Sequence, residues 1–341
     1  MKINPLKSIY QLTQEELKDI LRINGQSEYL ASSIFEVLYK KNHTQDISIK
    51  TWDLLKENFQ FNLPIITEVR KSQDGTHKFL MEFEDGKKVE TVLIPFFKRY
   101  SICLSSQVGC AMNCSFCFTG TQGFTRHLKA HEILGQYMRA LEFLEKEISN
   151  KAISPNIVFM GQGEPLHNFD EIHRALKIFL DPQGLALGPR QITLSSAGYL
   201  PGLKRFNELP KINLALSLHS AFNETRKTLI PLTGQYPIQD IFIALDDIKL
   251  MKRQFITYEY LLIDELNDQE IDADALEQLL GKRKAIVNII PFNPFPGSQF
   301  RRPCPQKVET FKEMLVKRNL RTMIRMTKGD DILAACGQLT S

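Results

Sequence analysis

The sequence predicts an α/β protein built on a parallel sheet or barrel, preceded by a small helical unit and a β-hairpin. Three observations carry this. From about Ser101 onward, short β-type runs alternate with helical stretches, the pattern that parallel sheets and barrels produce. Residues 1–70 show helical periodicity instead. Residues 71–98 switch to a period of two on either side of a turn, as a hairpin does.

Thr13-Gln14-Glu15-Glu16 has the form of a capping box, so a first helix starts there and stops near Asn24-Gly25. A second helix is expected from about Glu28 to Tyr39 and a third around Trp52 to Asn58. Lys78–Phe83 and Val89–Ile94, joined at Asp85-Gly86, read as the hairpin. The later β-type runs are Ile102–Leu104, Ile157–Met160, Gln191–Ser195, Leu214–Leu218, Ile256–Ile263, Ala285–Pro291 and Thr322–Met326. Between the first two, Leu128–Glu147 has the apolar spacing of a long amphipathic helix. The expected division is therefore a helical accessory domain over 1–70, a hairpin and linker over 71–98, a barrel over 99–300 and a C-terminal segment over 301–341.

Composition excludes some classes. The 341 residues are 43% hydrophobic and 24% charged, ordinary for a globular protein. No apolar run approaches the ~20 residues of a membrane span, and the N-terminus lacks the apolar run of a secretory signal. A cytoplasmic protein without membrane contact is expected. The net charge of +4 is too small to mark a nucleic-acid binder, but Arg301–Lys328 holds nine Lys/Arg against Glu309 and Glu313. Charge alone leaves that stretch equally a phosphate-binding surface or a solvated helix face.

The six cysteines are Cys103, Cys110, Cys114, Cys117, Cys304 and Cys336. Cys110, Cys114 and Cys117 form a C-x3-C-x2-C triad just after a predicted strand. Three thiolates on one short loop can converge on a soft metal centre. Structural zinc normally takes four ligands, and no fourth Cys or His stands at the usual spacing. A [4Fe-4S] cube held by three cysteines keeps one iron open for a substrate, as radical chemistry with S-adenosylmethionine (SAM) requires. C-x3-C-x2-C is the signature of the radical-SAM superfamily, which the chain resembles.

Further strings occur in order: Cys103–Cys110, Thr121-Gln122-Gly123-Phe124, Gly161–Leu166, Ser217-Leu218-His219, Pro291-Phe292-Asn293-Pro294 and Ala334–Leu339. With Asp74-Gly75-Thr76 and Glu90-Thr91-Val92 upstream, this set resembles the RlmN/Cfr family of adenine methyltransferases over nearly the whole chain. Pro165 and the Pro291–Gly297 run resemble the RlmN branch, which methylates carbon 2, rather than the Cfr branch, which methylates carbon 8. Departures from the family pattern are Gln162, where Met is common, Ser195-Ser196-Ala197-Gly198, and Tyr29–Ser33 in the second helix, where Arg and Gln are common.

The resemblance implies a partial (β/α)6 TIM-like radical-SAM barrel. It implies a [4Fe-4S] cluster on Cys110, Cys114 and Cys117, and SAM contacts from Gly163, Glu164, Ser195, Ser217, Leu218, His219 and Asn293. Cys336 matches a cysteine that accepts a methyl group from one SAM and, activated by the radical from a second, adds it to the adenine. Cys103 matches the cysteine that releases the product with a transient disulfide, and Glu90 matches a general base. The implied partners are 23S rRNA at the peptidyl transferase centre, tRNA at adenosine 37 and an electron donor such as flavodoxin, with the enzyme a monomer. A zinc-bearing RNA-binding module without catalysis also accounts for the cysteine loop and the basic stretch, but leaves Cys103, Cys336 and Gly163-Glu164 idle. Phe116 and Phe118 read as cluster shields or as barrel packing, Arg126 and His127 as contacts to SAM or RNA, and Cys304 as a bystander.

Overall fold

A computed structural model of the chain describes residues 7–40, 47–97, 99–148 and 154–340. The first strand, β1 (Lys7–Ser8), pairs in parallel with β2 (Phe59–Gln60) and brackets three helices, α1 (Gln14–Ile23), α2 (Leu30–Lys40) and α3 (Ile49–Asn58). The capping box forms as its residue types require: the Glu16 N–H donates to Thr13 Oγ1 at 3.3 Å and the Thr13 N–H donates to Glu16 Oε2 at 2.8 Å. Leu17 and Leu21 of α1 and Ile34 and Phe35 of α2 are buried, one apolar stripe per helix.

Three antiparallel strands follow: β3 (Ile65–Lys71), β4 (His77–Glu82) and β5 (Lys88–Phe96), with β4 and β5 forming the hairpin about Asp85-Gly86. β5 also pairs antiparallel with β6 (Arg99–Cys103), so the hairpin continues directly into the main sheet. β7 (Gln107–Gly109) and β8 (Phe124–His127) make a small ribbon around the cysteine loop and the short helix α4 (Phe118–Thr121).

The remaining strands alternate with helices. The long helix α5 (Ala130–Ile148) leads to β9 (Asn156–Phe159), α6 (Phe169–Leu180) to β10 (Ile192–Ser196), and α7 (Leu200–Lys204) to β11 (Asn213–Ser217). Then α8 (Asn223–Leu229) and α9 (Ile238–Asp246) precede β12 (Ile256–Leu262), α10 (Glu270–Leu280) precedes β13 (Ala285–Pro291), and α11 (Pro305–Lys317) precedes β14 (Thr322–Ile324). The sheet order is β14-β13-β12-β11-β10-β9-β6-β5-β4-β3, and every pairing from β6 to β14 is parallel. All seven runs read from the sequence are strands of this parallel portion.

The sheet curls without closing. Ile94 and Phe96 of β5, Ser101 of β6 and Met323 and Ile324 of β14 line one cavity although β14 pairs with none of those strands. That is a partial barrel with six strand–helix crossovers. Its core lies between sheet and helices, where Ile133, Leu134 and Tyr137 of α5 meet Ile172, Leu176 and Phe179 of α6. Among the described residues, no helix is long and apolar enough to cross a membrane.

Five of the nine basic residues between Arg301 and Lys328 are paired with carboxylates. Arg301 and Lys307 face Asp264, Arg302 faces Asp330, Lys312 faces Glu309, and Arg318 faces Glu270 and Asp274. Glu309 lies one helical turn from Lys312, but Asp264, Glu270 and Asp274 come from distant segments that spacing along the chain does not reveal.

Candidate active site

The strands of the parallel sheet end on one cleft. It is lined by Cys110, Cys114, Cys117, Gly163, Glu164, Ser195, Ser217, His219 and Cys336, and spans about 860 Å³ counting the space open at its mouth. Its place at the C-terminal strand ends is where barrels carry chemistry.

The cysteine loop is shaped by backbone. Gly109 has φ +71°, and a Cβ there would meet the Gly123 carbonyl oxygen at 1.9 Å. The Cys110 N–H donates to that oxygen at 2.9 Å, closing the loop. Burial pushes the Cys110 thiol up to about 12 and raises Cys114 and Cys117 as well, so all three hold their protons until a cation displaces them. Among the described residues, no three His, Cys, Asp or Glu side chains gather closely enough to hold one metal ion. The three thiols share the cleft and lie within one another's field.

Glu164 follows Gly163, whose φ of +97° brings the backbone against Gln107; a Cβ would stand 2.5 Å from that side chain's Cβ. The carboxylate accepts from the Ala197 N–H at 2.7 Å and the Leu166 N–H at 3.1 Å. It thus ties the end of β9 to the end of β10. Burial nevertheless lifts its pKa to about 7.

His219 is buried with φ +59°. Its Nδ1 accepts from the Leu261 N–H at 3.0 Å, which puts the ring proton on Nε2. Burial, then the nearby Arg226, drop its pKa to about 3, so the ring is neutral at any working pH. Phe116 packs edge-on against it with centroids 4.7 Å apart, and Phe118 stacks on Phe295 at 5.2 Å.

Arg226 is the residue that sequence reading passed over. It is fully buried beneath the cleft, where it donates to the carbonyls of Ala197 (2.7 Å), Ser217 (2.9 Å) and Leu218 (3.1 Å) and to Thr233 Oγ1 (2.6 Å). Every one of these acceptors is neutral. The titratable groups in its field are Cys114 and Glu164. A buried cation without a carboxylate partner among the described residues is the counter-charge an anionic group in the cleft would need. Nothing in the Asn223-Glu224-Thr225-Arg226-Lys227 run distinguishes this Arg from its exposed neighbours.

Of the remaining expected residues, Cys336 is in the wall of the cleft, and Leu218, Asn293, Cys103 and Glu90 lie around it. Leu218 is buried and presents its carbonyl to Arg226. Asn293 donates to the Cys336 carbonyl at 3.3 Å and accepts from Thr327 Oγ1 at 3.1 Å, lining the adjoining cavity. Cys336 lines both cavities and so stands at their junction. Cys103 sits behind it in a small apolar cluster with Val92, Ile94, Ala334 and Leu339. Burial pushes the Cys103 thiol up to about 12 against the opposing charge of Arg325. Both thiols are free, so no disulfide joins them in this structure. Glu90 is buried on the far side of the tail, 2.8 Å from Lys78. Arg126 pairs with Asp85 and Glu132, His127 meets Gln107 at 3.0 Å, and Cys304 is exposed at the start of α11.

The Radical SAM superfamily pattern matches residues 104–276. The chain is 38% identical over 338 residues to a dual-specificity RNA methyltransferase RlmN of Syntrophobacter fumaroxidans, covering 98% of each. It is 39% identical to a protein of the same name from Rhodospirillum rubrum, covering 97% of this chain and 79% of that one. A solved radical SAM methyltransferase from Sphaerobacter thermophilus superimposes with a TM-score of 0.89 at 34% identity, covering 98% of this chain and 99% of that one.

Proposed function

Because the chain belongs to the radical-SAM superfamily and, within it, to the RlmN family of methyltransferases, we propose that it methylates carbon 2 of adenine in RNA through Cys336. The substrates in this reading are 23S rRNA at the peptidyl transferase centre and tRNA at adenosine 37. The observation that carries it is the meeting of Cys336, from the far end of the chain, with Cys110, Cys114 and Cys117 in one cleft.

The donor set fits an iron–sulfur cube. Three thiols on one loop, each in the field of the others, suit a group that offers each its own iron, and the buried Arg226 supplies positive charge beside Cys114. In this reading Cys110, Cys114 and Cys117 hold a [4Fe-4S] cluster, and Glu164 pairs with the ammonium of SAM where Gly163 lets it approach. Ser195, Ser217 and the Nε2–H of His219 face the rest of SAM, while Leu218 and Asn293 support the wall and the Cys336 backbone. Bound there, the cluster and SAM supply a carbon radical from one-electron cleavage of the sulfonium.

The chain's own residues do the rest. Cys336 carries the methyl group as a thioether, which a radical can activate where a thiol with a free S–H would be consumed. Glu90 takes the proton that the adenine carbon gives up; burial raises its pKa toward the range a general base needs. Cys103, one layer behind the tail, attacks the Cys336 sulfur. An S–S bond forms, and the S–C bond to the product breaks with its electron pair going to the carbon, which takes a proton. The transient disulfide is then reduced by an external thiol. Two SAM molecules are used per methyl group delivered. The helices over 14–58 serve as the accessory RNA-binding unit, an unstacked base being the form in which RNA presents an adenine edge. A flavodoxin-type donor and a monomeric, cytoplasmic enzyme complete the reading.

The test is anaerobic reconstitution with iron, sulfide and SAM, followed by mass spectrometry of nucleosides from treated rRNA and tRNA. 2-Methyladenosine is the expected product. 8-Methyladenosine would reassign the chain to carbon-8 chemistry, and a colourless protein with stoichiometric zinc would remove the catalytic reading.

A further inference from the structure

The tail that carries Cys336 is held by a closed ring of hydrogen bonds. The Thr340 N–H donates to Glu90 Oε2 at 2.6 Å. Glu90's own N–H donates to Gln162 Oε1 at 2.9 Å, and Gln162 Nε2 reaches Gln122 Oε1 at 3.4 Å. Gln122 Nε2 then donates to Thr340 Oγ1 at 2.8 Å. Strand β5, the turn after β9, the loop after α4 and the tail thus meet through one carboxylate and two carboxamides. Lys78 on β4 adds a second tie. Its Nζ stands 2.8 Å from Glu90 Oε1 and donates to the Leu333 carbonyl at 3.0 Å.

Both Glu90 oxygens are therefore committed, one to an ammonium and one to the tail. Hydrogen bonds to an ionised carboxylate are about twice as strong as neutral ones, so the grip on Thr340 depends on the charge. The other groups facing this carboxylate are Glu68 and Arg70 from β3, Lys88 from its own strand and, from the tail, the uncharged Leu333 and Thr340. Gln162 faces it from the turn after β9. Burial is the largest influence on Glu90 and favours its neutral form, so the charged grip is held against desolvation.

We infer that Glu90, with Lys78, Gln122 and Gln162 as positioning residues, is a latch on the Cys336 tail that opens when Glu90 takes up a proton. The inference rests on the reading of Glu90 as the proton acceptor. A C–H bond of the substrate breaks, its electron pair stays with the substrate, and an O–H bond forms on Glu90, with no change of oxidation state there. The Thr340 contact then weakens, leaving the tail free to move when Cys103 attacks Cys336. Methylation and release are thereby ordered by one proton.

The test is backbone hydrogen exchange over residues 329–339 of the full-length protein, from about pH 8 down to about pH 5, corrected for intrinsic rates. Wild-type protection of the tail should fall as Glu90 protonates. Glu90→Gln should exchange about ten-fold faster at the high end and lose the pH dependence, since one charge-assisted bond is removed. Thr340→Pro, which removes the tail donor to Glu90 and, with the hydroxyl, the acceptor for Gln122, should loosen the tail at least as much and lose the pH dependence without touching the hairpin. Gln162→Met and Gln122→Ala should loosen the tail while keeping the pH dependence. Wild-type protection in both Glu90→Gln and Thr340→Pro would overturn the latch. Lost methylation with a firmly held tail in Glu90→Gln overturns the latch but leaves Glu90 as base; a loosened tail with full methylation does the reverse.

Discussion

Replacing Arg226 by Met should cost the protein several kcal/mol. The guanidinium makes four hydrogen bonds of 2.6 to 3.1 Å and is fully buried. Met fills comparable length but satisfies none of the three carbonyls at the ends of β10 and β11. Each buried acceptor left without a donor costs about 1–3 kcal/mol. Relief of burying an unpaired cation offsets part of this, leaving a net loss of about 3–5 kcal/mol from a total stability of about 5–15 kcal/mol. Arg226→Lys keeps the charge but replaces a planar fork by one point donor, and should recover about half of the loss. Urea unfolding of the cluster-free protein followed by circular dichroism measures both variants through the shift in midpoint. A midpoint within about 1 kcal/mol of wild type for Arg226→Met would refute the assignment of the Arg as the clamp of the cleft floor.

Three further outcomes are expected. Gly163→Ala places a Cβ 2.5 Å from Gln107 at φ +97°, a strain of about 1–3 kcal/mol. SAM affinity by calorimetry should drop at least ten-fold while the fold persists, and unchanged affinity would remove Gly163 from the site. Glu164 is neutral below its pKa of about 7, and an ammonium needs the ionised form. SAM affinity of the reconstituted enzyme should therefore decline as pH falls through that value and be weak and flat in Glu164→Gln; a flat wild-type profile would count against the pairing. Cys103→Ala should accumulate a covalent protein–RNA adduct, seen as an RNase-sensitive shift on a denaturing gel. Normal turnover in that variant would show that another group performs release.

Much of the fold was legible because its signals are local. The capping box at Thr13 needs only residues three apart, and the hairpin turn at Asp85-Gly86 needs only a dipeptide. The seven parallel strands announce themselves as apolar runs because each is flanked by a helix on the outer face of the sheet. The additional strand β3 was not legible. Its residues are mostly exposed, so Ile65–Lys71 shows no clean alternation, and only pairing with β4 makes it a strand. The basic stretch stayed ambiguous for the complementary reason: its partners Asp264, Glu270 and Asp274 lie dozens of residues away.

By itself the sequence determined the candidate set proposed to carry the chemistry: three thiols on one loop, the Gly163-Glu164 strand end, and two outlying cysteines. These are fixed by residue type and short spacing, which do not depend on how the chain closes. Only the tertiary structure decided which of them meet. It brought Cys336 into the wall of the cysteine cleft, kept Cys103 behind it, turned Asn293 to the tail's backbone, and set Arg226 beneath and Glu90 across. The reason is electrostatic and topological. Burial makes a charge seek compensation wherever the fold can bring it, and the curl of the sheet, not the distance along the chain, decides what is near.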